Sequence, residues 1–87
     1  MEAMSVHMQR DVRVAPGVMV RVRRTVGGWA FRHEGVTYMC RHTTTASRWR
    51  VVEQGTGWSH DVCSLRQCVW SALRHASVHA EAEGRAE

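Results

Sequence analysis

Lysine is missing from all 87 residues, so the twelve strong bases are all Arg. A GC-rich coding sequence produces such a bias on its own, although a guanidinium also holds planar anions through paired hydrogen bonds that an ammonium cannot make. Cysteine is scarce and odd in number, at Cys40, Cys63 and Cys68. That spacing excludes the regular framework of a disulfide-stapled secreted domain and leaves the thiols free, buried or metal-bound. No window approaches the roughly 18 consecutive apolar residues of a membrane span, and residues 1–9 carry no apolar run behind a basic start, which speaks against a signal peptide. These absences imply a reducing cytoplasm and no membrane partner. Repeats, linkers and low-complexity blocks are also lacking, so residues 1–87 are expected to form a single domain. Nor is there a catalytic signature, and the chain is not expected to be an enzyme.

What is present is enough for a small core. Four Trp, with Phe31, Tyr38 and about a dozen Val, can fill one if they point inward, each large apolar side chain contributing roughly 1.5 to 3 kcal/mol on full burial. The margin is narrow at this length, and a homodimer would widen it by hiding further apolar surface.

The clearest pattern lies at Ser64 to Ala76. Leu65, Cys68, Val69, Ala72, Leu73 and Ala76 recur at intervals of three and four, placing them on one side of a helix with Arg66, Gln67, Ser71, Arg74 and His75 mostly on the other. Ser64 and Gln67 form a capping box, with Cys63 and Cys68 placed as its hydrophobic staple. The core helix is expected over 64–76, with an extension to about 82 and a flexible tail at 84–87.

Upstream, residues 11–62 alternate as strands, and residues 1–10 are expected to be loose. Val12 and Val14 lead into the turn at Pro16-Gly17, and Val18, Val20 and Val22 return as the second arm of a hairpin. Trp29 to His33, the turn at Glu34-Gly35, and Val36 to His42 make another hairpin, followed by a strand over Ser47 to Glu53. Trp58 to Val62 is either a short edge strand or a crossover to the helix. The fold class is therefore α+β: a small antiparallel β-sheet of three to five strands followed by one C-terminal amphipathic helix packed on one face.

Alternation assigns the charges to a face. If Trp29, Phe31, Trp49, Val51, Val36, Tyr38, Cys40 and the hairpin Val residues turn towards the helix, then Arg21, Arg23, Arg32, Arg41, Arg48 and Arg50 turn away from it. From Arg10 to Arg74 eleven Arg stand against four acidic residues, leaving +7 on a chain whose whole charge is +4. Such a face suits duplex DNA or another acidic partner, with Arg on phosphates and guanine edges and Thr37 or Met39 on thymine methyls. The layout is similar to that of small arm-type and plant-type modules that read DNA from a three-stranded sheet, without any of their residue motifs. A bland reading is that this is only the solvated side of the sheet. The alternative role is a small inhibitory protein that binds a host or partner protein through its basic face or through Trp58, Trp70, Arg66 and Arg74 beside the helix.

Cys40 and His42, with His60 and Cys63, are acceptable ligand types for tetrahedral zinc, but Cys-x-His is tighter than the usual spacing and Cys40 belongs to the inward stripe. Burial of Cys40 and Cys68 as small apolar residues is the preferred reading, and no cofactor is expected. Cys63, His60 and Asp61 could in principle make a thiol catalyst, although near-neighbours in sequence rarely converge on one substrate atom.

Overall fold

A computed structural model of the chain describes residues 8–44 and 48–86, with side chains described as far as residue 78. Six strands run β1 (Gln9–Ala15), β2 (Val18–Thr25), β3 (Gly28–His33), β4 (Val36–His42), β5 (Trp49–Glu53) and β6 (Ser59–Val62), followed by the helix α1 (Leu65–Ala86). They form one antiparallel meander in sequence order, the simplest topology for short connections. The sheet has one strand more than expected because Ser59 to Val62 does pair, with Trp49 opposite Val62 and Val52 opposite Ser59.

The turns carry the backbone signs their residues allow. Gly17 has φ +75°, as required at the second centre of a Pro-Gly type II turn. At Glu34-Gly35 both φ values are positive, +52° and +82°, which is the type I′ geometry that matches strand twist in a two-residue hairpin. Gly28 is needed for a different reason, since a Cβ there would lie 2.0 Å from the Cys40 carbonyl oxygen.

One sheet face holds the core. Val12, Val22, Phe31, Tyr38, Cys40, Val51 and Val62 are buried on it against Leu65, Cys68, Val69 and Ala72 of α1. The expected inward set is thus buried or half-buried, with one exception. Val18 is 41% exposed: beside the register shift between Arg13 and Ala15 it stays on the helix side but borders an open groove with Val14, Trp70 and Leu73. Leu73 is only half-buried.

At its start α1 is fixed by a modified capping box. Ser64 Oγ accepts from the Gln67 amide at 3.2 Å, while Gln67 Oε1 accepts from the amide of Cys63 at 2.9 Å, one residue before the cap. Cys63 is exposed and does not form the expected staple, Cys68 being wholly buried beneath the helix. The helix continues through Gly84 to Ala86, past the extension to about 82 expected from its fading apolar stripe. Gln9 and Arg10, within the segment expected to be loose, belong to β1, and residues 1–7 lie outside the described residues.

The helix meets both β1 and β6, the two edges of the sheet, as well as β4 and β5. It touches β2 and β3, which lie between, less than the β1 edge beyond them, so the sheet curls around the helix and its far face is convex. Arg66 Nε donates to the Arg13 carbonyl at 2.9 Å and fastens the β1 edge to the first turn of α1. Among the described residues no helix is long and apolar enough to cross a membrane.

Candidate nucleic-acid interface

Strand parity carries the convex face. Arg21 and Arg23 of β2, Arg32 of β3, Arg41 of β4 and Arg50 of β5 alternate with residues of the core side, and Arg48 has the same parity one residue ahead of β5. All six are exposed. The pairing sets them in rows across the strands. Thr25, Gly28, Arg41, Arg50 and Asp61 form one row, and Arg23, Ala30, Met39, Val52 and Ser59 the next. Ala30 is buried and Met39 and Val52 half-buried, so the second row is a low apolar floor beside the basic row. Arg13, opposite Met19, shares this face and extends the site beyond the six Arg of the alternation, its position between Val12 and Val14 pointing outward in the sequence itself.

Two of these cations are neutralised locally. Arg50 holds Asp61 in a fork, Nε to Oδ1 at 2.7 Å and Nη2 to Oδ2 at 3.2 Å, and this hydrogen bond keeps the Asp61 carboxyl below its ordinary range. Arg21 Nε bonds Asp11 Oδ1 at 3.0 Å. Arg41 stands directly opposite Arg50, a like-charged pair that the Asp61 carboxylate on the far side of Arg50 makes tolerable. Arg23, Arg32 and Arg41 have no acidic partner among the described residues, and Arg48 forms no ion pair there but lies near enough to Asp61 to help hold its carboxyl down. Arg32 instead donates to the Gly35 carbonyl of the neighbouring turn at 3.2 Å. Arg10 and Arg24 lie on the other face and flank the Trp29 ring, at 5.7 and 5.2 Å from its centroid.

The residues considered for a protein partner fall on the helix side, where Trp58, Trp70 and Arg74 border one groove and Arg66 turns to the β1 edge. Arg66 is committed to the β1 edge, Trp70 is 47% exposed, and the Arg74 guanidinium lies 5.3 Å from the Trp70 ring centroid. Trp58 is half-buried and stacks on His75, with centroids 4.0 Å apart and planes 10° from parallel.

That stack is where the sequence reading of the helix needs correction. The helical period puts His75 mostly on the outward side, but its side chain is mostly covered and its Nε2 lies 3.0 Å from Glu53 Oε1. Glu53, only 7% exposed, continues the inward parity of Trp49 and Val51 and is the one buried charged residue among those described. It accepts from Thr56 Oγ1 at 3.0 Å and from the Tyr38 hydroxyl, and burial together with the Glu53 carboxylate pushes Tyr38 above its ordinary range. A buried carboxylate persists because three partners satisfy it. The alternation placed Glu53 inside; what it could not supply was the partner arriving from α1.

The Cys and His residues are dispersed. Cys40 and Cys68 are buried together between β4 and α1, and the neighbouring thiol and burial hold Cys40 far above the ordinary thiol range. His42 packs on Trp49 at 4.4 Å, and His60 lies alongside Trp58 at 6.4 Å. Cys40 is separated from His60 by the whole of β5, since Val51 pairs with both, so Cys40, His42, His60 and Cys63 are not brought together. Among the described residues no three His, Cys, Asp or Glu side chains group as metal ligands would. Parity also divides the imagined catalyst, with Asp61 on the convex face held by Arg50 and His60 on the other.

No protein family, curated protein or solved structure matches the chain.

Proposed function

We propose that this chain is a small DNA-binding protein that presents the convex, Arg-bearing face of its sheet to duplex DNA. The observation that carries this reading is the set Arg23, Arg32 and Arg41, exposed on a face the helix does not reach and without acidic partners among the described residues, with Arg48 exposed beside them. A convex sheet suits the major groove, which is wide enough for β-structure, and the low row of Ala30, Met39 and Val52 lets neighbouring guanidinium groups approach the duplex. In this reading Arg41 and Arg23 contribute more than Arg50 or Arg21, which must first share or leave their carboxylates.

The test is a fluorescence-anisotropy titration of labelled duplex DNA at two salt concentrations. Phosphate contact alone gives dissociation constants on the order of 10⁻⁴ to 10⁻⁶ M, with a logarithmic salt slope of about −0.9 per phosphate neutralised. Arg23→Ala/Arg41→Ala is expected to reduce that slope by about two phosphate equivalents, and Asp61→Asn to strengthen binding by releasing Arg50. Absence of binding by the folded wild type at low salt refutes the proposal and turns attention to an acidic protein surface.

A further inference from the structure

On the side of the sheet away from the Arg face, α1 and β6 border an open groove of about 360 Å³. Its helix wall is made by Trp70, Ser71 and Arg74, its strand wall by Trp58 and His60, and His75 lies between them. The volume is at the low end of the roughly 300 to 1,000 Å³ of small-molecule sites, room for one ring system with a substituent.

The lining defines what would fit. Two indoles and two imidazoles offer flat faces, so the ring of a ligand is met by stacking surfaces on both walls. One of these faces is fixed in advance: Trp58 is stacked on His75, and His75 is tied to the buried Glu53 carboxylate at 3.0 Å. The charge of the lining is one-sided, since among the described residues it contains the Arg74 guanidinium and no carboxylate. Glu53 is sequestered behind His75 by its bonds to Thr56 and Tyr38. Arg74 lies over Trp70, which brings cation and ring face to the same spot, and Ser71 adds a hydroxyl one turn earlier on the helix.

We propose that this groove binds a flat, ring-bearing anion, its ring against the indoles of Trp58 and Trp70 and its carboxylate or phosphate on Arg74. A nucleoside monophosphate and an aromatic carboxylate share that chemistry. The site is independent of the DNA reading, because none of its residues lies on the convex face.

Calorimetric titration of the full chain with adenosine 5′-monophosphate, indole-3-carboxylate, adenosine and inorganic phosphate tests the proposal. One of the two ring-bearing anions is expected to bind with one site per chain, and the tighter of them identifies the source. Adenosine and phosphate alone are expected to bind at least about tenfold more weakly. Arg74→Gln should cost the bound anion about tenfold, the loss of one charge-assisted hydrogen bond, and Trp70→Ala a similar factor. Both residues are exposed, so circular dichroism should find both variants folded, and duplex binding by Arg74→Gln should match wild type. Absence of saturable binding of either anion at millimolar concentration, or affinities unchanged in both variants, overturns the proposal.

Discussion

Replacing Gly28 with alanine would put a methyl carbon 2.0 Å from the carbonyl oxygen of Cys40. Carbon–oxygen contacts between strands ordinarily lie at about 3.3 to 3.6 Å, so β3 and β4 must part by more than 1 Å at the pair Gly28 and Arg41. The obstacle is backbone, which cannot rotate aside as a side chain does. Overpacking of this kind costs about 1 to 3 kcal/mol, and each ladder hydrogen bond lost as the strands part adds roughly 1 kcal/mol. Against this stands a gain of about 0.5 to 1 kcal/mol from the lower unfolded-state entropy of alanine. The net expectation is a loss of roughly 2 to 4 kcal/mol, or about 10 to 25 °C in melting temperature for a domain of this size. Gly27 is the control, with φ at +89° and open space where its Cβ would be. Gly27→Ala should cost only the roughly 1 to 2 kcal/mol of left-handed backbone. Thermal melts of both variants followed by far-ultraviolet circular dichroism decide the matter. A Gly28→Ala protein that melts within a few degrees of wild type, or above Gly27→Ala, refutes the reasoning.

Leu65 is 8% exposed and Leu73 half-buried, so urea melts should find Leu65→Ala destabilised by about 2 to 4 kcal/mol, Leu73→Ala by roughly half as much, and Arg74→Ala by less than about 0.5 kcal/mol. Tyr38 is held above its ordinary range in the folded chain, so the stability this provides is complete below the unfolded tyrosine pKa of about 10 and is lost as pH rises through the folded value. Tyr38→Phe should therefore show a flatter loss of stability in denaturant titrations above pH 10.

Legibility in the sequence followed the range of each signal. Alternation is a local property, so the inward set from Val12 to Val51 and the outward Arg set could be assigned strand by strand, and the Pro16-Gly17 and Glu34-Gly35 turns carried their own chemistry. The short β6 was ambiguous because four residues with one buried Val scarcely constitute a period. Val18 keeps the face of its stripe and is exposed because it borders a groove beside Trp70 and Leu73, a gap that alternation along a strand does not show. The Glu53, His75 and Trp58 cluster joins residues from a strand, a loop and a helix, and a helical wheel drawn for α1 alone puts His75 with the polar residues. The pairing of Arg50 with Asp61 and of Arg21 with Asp11 depends on which strands are neighbours, and only the register of the meander supplies that.

The bond from Arg66 to Arg13 spans 53 positions of chain, and it ties the first strand to the last element. During synthesis the hairpins can close one after another as they emerge, each needing only its neighbour. The face carrying Val12, Val22, Tyr38 and Val51 has no cover until residues 65–73 arrive, so nearly the whole sheet must wait with its apolar side open. A chain ended after Cys63 would have every strand and no lid, the form in which this protein is most exposed to misassociation and to quality control.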